Sequence, residues 1–491
     1  MVVGWLLYLP SAILVIGLAH TVYHMPLPAR PVSLFVVVTL GIFAFRAIGM
    51  IIAAVANSMA ESNILVQILY MPMLFLSGAT IPVSSMPVAA QIISQFLPAS
   101  YLNSGIQHVM IRSEGLATSL GSVGALLAST IVATWIARKL FRWEKGEKLP
   151  RSSKAWVAAV LAPFIALGSW QAWSRDHIDE SKRLDREIRR NNTRLIRGPA
   201  IFTGDGGVIR NGGVLIRGGR IAEIYTDRIP APEEVNADLI EAAGKTLLPG
   251  LIDVDVHLGG EARQAALRAL AAYLYCGVTA VRAVGELPPA AAEVRDTVNS
   301  GVRLGAELFL ASGNRQDEYY LGALSSSEAS DDLLQRKTGL LSRSLVEQVA
   351  PPGLLAATRK SVTAAAAARP FAPTLTIATE NLVRAWRSGL PLVTGAGSGN
   401  PMLIHGPATQ RELQLWVMAG VPPEVALQAA TGNAARLLGA AHRIGFIRKG
   451  YEATLILVDC NPLQDISVTE RISLVLLKGE HVDTSDLFDQ K

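Results

Sequence analysis

At 491 residues the chain has room for two to four domains. Its formal charge of +5, from 45 basic and 40 acidic residues, is small, and the basic residues sit beside apolar runs rather than on one face. That pattern excludes a nucleic-acid-binding surface and points to membrane orientation. Half of the residues are hydrophobic, but the excess is uneven: before Pro150 the only acidic residues are Glu61, Glu114, Glu144 and Glu147. An apolar N-terminal third is therefore joined to an ordinary globular remainder. Cys276 and Cys460 lie far apart outside any paired motif and are expected to be buried thiols.

A helix needs roughly 20 apolar residues to cross a bilayer. Stretches of that kind run near Val2–Val22, Ser33–Asn57, Ile64–Ile81, Leu120–Phe141 and Ala155–Trp173, with Trp5, Tyr8, Tyr70, Trp143, Trp170 and Trp173 near their ends. The loop "ARKLFRWEKGEKLPRSSK" carries seven Lys/Arg between the last two stretches and is expected on the cytoplasmic side. The fifth stretch then delivers everything after Ser174 to the opposite, extracytoplasmic side. Charges beyond it are also partly basic, so the rule is not unanimous. Arg46, in the middle of a span, is either functional or faces a helix interface or wet cleft. His20 and His24 share an i, i+4 spacing but have no third ligand, which favours a structural, interfacial role.

Three motifs mark the rest of this third: "SGATIP" at the end of a span, then "SSMP", then "FLPASYLNSGIQ" before a final span. Together they resemble the C-terminal half of type-2 ABC export permeases over roughly residues 1–145. The resemblance implies a lipid-embedded bundle that works with a separate ATPase subunit and a further permease chain. The family has six spans, whereas about four fit here before the basic loop. No G-x-x-x-x-G-K-[ST] phosphate loop occurs in the sequence.

From Asn192 the pattern changes. "GDGG", "NGG" and "RGGR" separate short β-type runs, which predicts hairpins in a small sheet. "GKTLLPGLIDVDVH" and "EARQAALRALAAYLYCGVTAVRAVG" then alternate strand and helix, the pattern of a parallel barrel. "GFIRKGYEATLILVDCNPL" and "ISLVLLKGEHVD" return to strand near the end.

The ordered set "PGLID-x-D-x-H", "GVTAVRAVG", "SGVRLGAELFLASG", "AGVPPEVALQAATGNAARLLG" and "GFIRKGYEATLILVDCNPL" resembles the amidohydrolase superfamily, in particular its imidazolonepropionase-like members. The resemblance implies a (β/α)8 barrel completed by a small β-sandwich from both flanks. It also implies a divalent metal, usually zinc, that activates water. The ligands it implies are an H-x-H pair, a Lys or Glu, two further His and an Asp. Carried across, the H-x-H positions are Asp255 and His257. The eighth-strand aspartate position is Gly397 in "GAGSG", and the acid of "VRD" is Ala283. No histidine lies between His257 and His405, and His405 in "IHG" matches a family position where a substrate-binding or a packing role is open. From His257 to Gly397 is 140 residues, where the corresponding part of a barrel of about 250 residues needs more. The shortfall falls near the Ser/Ala-rich, poorly patterned stretch from Ser325 to Pro370.

Asp253 joins Asp255 and His257 on one face only if the strand is straight, and Lys337 or Lys360 is a conceivable further ligand. "GAGSG" also reads as a phosphate-binding nest, though an eroded catalytic loop is the better reading. The expected architecture is thus a transmembrane bundle of four to five spans (1–145) and a basic loop, anchor and linker (146–191). An incomplete amidohydrolase barrel (249–440) comes next, with a β-sandwich from 192–248 and 441–491. The expected location is the bacterial inner membrane. No confident catalytic residue and no cofactor are expected, with zinc or another divalent metal only if the Asp255–His257 remnant works. A pseudo-hydrolase used for binding or scaffolding, an active hydrolase of amide or cyclic-imide bonds, and a transport component all remain open, as does the joining of two damaged reading frames.

Overall fold

The computed structural model describes residues 2–23, 27–56, 58–111, 115, 120–140, 169, 176–259, 262–285, 290–311, 318–364, 370–484 and 487–488. The chain divides into two compact units, one ending at Ile188 and one beginning at Arg189.

The first unit is helical: α1 (Val2–Tyr23), α2 (Pro31–Val55), α3 (Met59–Leu76), α4 (Val88–Ser94), α5 (Pro98–Ile111) and α6 (Leu120–Leu140). Pro31 opens α2, where a missing N–H costs nothing, and Ser58 caps α3 by accepting from Glu61 N–H at 3.1 Å. Small residues let α2 approach its neighbours closely. Ala47 and Ile51 pack with Ala133 and Ile136, and Ala44 packs with Tyr101, Ala125 and Leu126. Among the described residues three helices are long and apolar enough to cross a membrane: Pro31–Ala54, Met59–Leu76 and Gly121–Lys139. The apolar stretch in α1, Pro10–Val22, is shorter. The third helix sits earlier than the expected Ile64–Ile81, because the Ser58 cap starts it and Gly78, at φ +84°, comes just after its end. Apart from Ser169, the expected span Ala155–Trp173 lies outside the described residues, as does His24. Arg46 and His20 are both exposed.

The second unit begins with the end of the helix Asp176–Asn191, followed by β1 (Arg194–Arg197), β2 (Ala200–Phe202), β3 (Val208–Ile209), β4 (Gly213–Arg217), β5 (Arg220–Tyr225), β6 (Asp238–Glu241) and β7 (Thr246–Pro249). Gly218 and Gly219, both at positive φ, make the two-residue turn between β4 and β5 that "RGGR" predicts. Far along the chain come β13 (Leu455–Val458), β14 (Ile472–Leu477) and β15 (Glu480–His481). One sheet has the order β5-β4-β1-β6 and the other β15-β14-β13-β7-β2-β3, so the second is built from both flanks. Ile196, Val214, Ile216 and Ile221 from the first sheet share one buried cluster with Ile201, Leu247, Leu455, Leu457 and Leu476 from the second.

Between these flanks run β8 (Leu251–Val256), β9 (Val278–Ala283) and β10 (Glu307–Leu310), parallel and linked by the helices Arg263–Tyr275 and Ala291–Asn299. β11 (Tyr320–Gly322) pairs in parallel with β12 (Leu392–Thr394). The segment after β12 meets β8, with Gly397 N–H donating to Asp255 O at 2.9 Å. The stretch expected to be poorly patterned is ordered in large part: it forms the helices Leu324–Leu334, Ser344–Val349 and Pro352–Ala364, and Ser325, Ser326, Ser327 and Ser330 are buried. Cys276 is buried as expected, but Cys460 is exposed in a turn at φ +76°.

Candidate functional site

The candidate site lies at the end of β8. Beside β9 the pairing jumps from Asp253–Val281 to Val256–Ala283, so three steps on β8 face two on β9. That irregularity breaks the period-2 alternation on which a common face for Asp253, Asp255 and His257 depended. Asp253 is fully buried and committed elsewhere. Its Oδ1 accepts from Asp255 N–H and Ala396 N–H, each at 3.1 Å, and its Oδ2 accepts from the Thr409 hydroxyl at 2.6 Å. Burial pushes its pKa up to about 7, against these three hydrogen bonds, which act to lower it.

Asp255 and His257 do come together: Asp255 Oδ1 is 3.5 Å from His257 Nε2. Burial raises the Asp255 pKa, and the electrostatic interactions with His257 and Arg282 oppose that rise. Arg282 Nε donates at 2.9 Å to Val254 O, the carbonyl that the irregular pairing leaves beside β9. Burial lowers the Arg282 pKa, partly offset by Asp255. Ala283 is fully buried in β9 and offers no acid.

The facing wall is the loop after β12. A Cβ on Gly395 would lie 2.4 Å from the Asp255 Cβ, so only glycine allows this approach. Gly397, where the resemblance would place the aspartate, sits at φ +64°, and a Cβ there would lie 2.0 Å from Ser326 Oγ. Most amides of this loop are already used. Gly395 N–H donates to Gly322 O, Gly397 N–H to Asp255 O, Gly399 N–H to Leu403 O and Asn400 N–H to Gly397 O, while Ala396 N–H holds Asp253. A nest needs free converging N–H groups, so a phosphate-binding reading of "GAGSG" does not survive this geometry.

Behind the loop is a polar core that sequence reasoning missed. Glu412, fully buried, accepts from Leu324 N–H at 2.8 Å, from Ser325 N–H and Ser325 Oγ–H at 2.6 Å each, and from Trp416 Nε1–H at 2.6 Å. Its carboxylate thus satisfies the orphan amides at the start of the helix Leu324–Leu334. Burial raises the Glu412 pKa while the same donors lower it. Ser325 and Ser326 also donate to Ala396 O, at 2.9 and 3.2 Å. The available signal was local only, an i, i+4 pair of Glu412 and Trp416 on one helix; the partner serines lie 87 residues away.

His405 Nδ1 is 3.3 Å from the hydroxyl of the buried Tyr273. Lys337 and Lys360 are exposed. Among the described residues no group of three or more His, Cys, Asp or Glu side chains stands close enough together to hold a metal ion.

Residues 1–111 match the family model described as ABC-2 type transporter, and residues 355–482 match that described as Amidohydrolase family. The second match starts beyond Asp255 and His257 and includes Gly397 and His405. Nodulation protein J of Rhizobium leguminosarum bv. viciae is 33% identical over 99 residues, 20% of this chain and 38% of that protein. Nodulation protein J of Rhizobium meliloti (strain 1021) is 32% identical over 106 residues, 22% of this chain and 40% of that protein. The chain therefore spans about two fifths of the length of these curated relatives. Among solved structures, a Xaa-Pro dipeptidase with bound methionine in its active site is similar at a TM-score of 0.43 with 18% identity, over 60% of this chain and 100% of that one. Molinate hydrolase is similar at a TM-score of 0.44 with 17% identity, over 60% of this chain and 96% of that one.

Proposed function

The chain joins an ABC-2 transporter membrane segment to an amidohydrolase-family segment, and from that premise we propose that the second unit is a membrane-tethered binding or scaffolding domain that does not hydrolyse. The observation that carries this reading is the donor set. A catalytic zinc needs three protein ligands and an open position. Asp255 and His257 are two, Asp253 has its oxygens taken by three donors, and Gly397 has no side chain to give. The residues present do not fit a catalytic metal, and no hydrolytic step is derived through one.

On this reading the domain is an imidazolonepropionase-like (β/α) barrel reduced to five strands, β8, β9, β10, β11 and β12, among the described residues, with the paired flanking sheets as its sandwich. The aspartate that would ligate metal and move the proton has been replaced by a glycine whose Cβ position is occupied by Ser326. The test is an assay of the full chain in detergent, with added zinc, against amide and cyclic-imide substrates. Turnover at the level of buffer with zinc is expected. Turnover that disappears in His257→Ala would mean an active hydrolase.

A second reading concerns the first unit. Ile64, Ile68, Tyr70, Met71 and Phe75 of α3 are exposed, and this apolar surface suits lipid or a further permease chain. Together with the ABC-2 match it supports a transport component that borrows an ATPase subunit. Co-purification of the full chain with an ATPase from a native membrane extract tests this. Recovery of no ATPase under conditions that preserve other transporters would count against it.

A further inference from the structure

β10 is an edge strand of the sheet β10-β9-β8. Ala311 N–H donates to Ala283 O of β9 at 3.1 Å, so Glu307, Phe309 and Ala311 serve the ladder while Leu308 and Leu310 turn their backbone groups outward. An outward row of this kind is a template for pairing with another chain. Here it is covered. Asn299, the last residue of the crossover helix Ala291–Asn299, accepts from Leu308 N–H at 2.8 Å and donates through Nδ2 to Leu308 O at 3.0 Å. Its amide offers the donor and acceptor that a neighbouring strand would offer. Just before the strand, Ala306 N–H is taken by Leu270 O at 2.9 Å.

The side chains of β10 would not keep a second copy away. The segment reads "ELFLA", and its one charge, Glu307, is paired with Arg443, which also lies over the Phe309 ring at 5.7 Å. Repulsion, the usual protection of an edge, is therefore absent at β10. We propose that Asn299 acts as a substitute strand that closes the β10 edge against a second copy of this chain. Without it, two copies would pair β10 to β10 through the backbone of Leu308 and Leu310. The inference is independent of whether the domain hydrolyses anything.

The experiment uses the full chain in detergent and reads self-association by sedimentation over a concentration series. Asn299→Leu, close in size and unable to hydrogen-bond, is expected to associate at concentrations where the native chain does not. Adding Leu310→Pro removes an outward N–H without touching the ladder to β9, and is expected to return association to the native level. Native-like sedimentation of folded Asn299→Leu would overturn the proposal. So would association that Leu310→Pro leaves unchanged, since that would reflect general exposure of apolar surface. Should Asn299→Leu not fold, Asn299→Asp keeps the bond from Leu308 N–H and loses the one to Leu308 O. It is expected to associate to an intermediate degree, and native-like sedimentation of it would overturn the proposal equally.

Discussion

Between the paired sheets, Ile196, Val214, Leu247, Leu455 and Leu476 form one apolar cluster; beside the parallel strands, Asp253, Ser325, Thr409 and Glu412 are sealed just as completely. The first interior rests on area removed from water and tolerates volume-conserving exchange. The second rests on hydrogen bonds that must all be made, because a buried donor or acceptor left alone costs about 1–3 kcal/mol. The flanking sheets keep an ordinary core, whereas the loop at Gly397 is tied through Ala396 O to Ser325 and Ser326, and Ser325 in turn meets the buried Glu412 carboxylate.

The largest expected effect is at Glu412. Glu412→Leu orphans three donors at once, the N–H groups of Leu324, Ser325 and Trp416, while the Ser325 hydroxyl keeps Ala396 O as its acceptor. A loss of about 3–5 kcal/mol is expected for breaking such a buried network, read as a lowered midpoint in denaturant unfolding of the full chain. By contrast Leu455→Ile in the apolar cluster should cost less than about 1.5 kcal/mol. Equal losses would erase the contrast between the two interiors.

Next comes Asp253, where the expectation concerns pH. Its carboxyl is raised from 3.8 to about 7 in the fold, so between those values the folded chain holds a proton that the unfolded chain has released. The stabilisation is complete below 3.8 and is lost as pH climbs through about 7. Unfolding followed across that window should show stability falling with pH at this group, and Asp253→Asn should flatten the slope. An unchanged slope in the variant would assign the dependence to another group.

A smaller effect is expected at Gly397. Gly397→Asp asks a residue with a side chain to sit at φ +64° with its Cβ against Ser326 Oγ. A cost of about 1–2 kcal/mol arises from the backbone alone, and pairing it with Ser326→Gly should recover part of that cost, the part due to the clash. No recovery in the double variant would mean that Ser326 is not what fills the space. The smallest effect belongs to the remaining pair: His257→Ala, at a side chain 37% exposed, should change stability by no more than about 0.5 kcal/mol, and Asp255→Ala, at one 16% exposed, by about 1 kcal/mol. A large loss in either would indicate a bound group that the pair helps to hold.

Much of this was readable from the sequence where the signal is local. "RGGR" makes the hairpin turn, "GVTAVRA" makes β9, and the i, i+2 spacing brings Asp255 to His257. The rest depended on non-local chemistry. The irregular pairing between β8 and β9 that turns Asp253 away arises from its neighbour strand, and nothing in "IDVDVH" announces it. The buried serines of the helix Leu324–Leu334 looked like loop composition because their partners, Glu412 and Ala396 O for Ser325, Ala396 O for Ser326 and Phe371 N–H for Ser330, are far along the chain. At Gly397 the resemblance led to the expectation of a missing acid, but that Ser326 stands where a side chain would begin required the fold.

The most direct test is zinc content per chain, by elemental analysis of the full chain purified in detergent, folded and monodisperse, after exposure to zinc and removal of the unbound metal. The account predicts metal near zero, unchanged in Asp255→Ala and His257→Ala. Close to one zinc per chain, lost in either variant, would contradict it and restore a metal-dependent hydrolase.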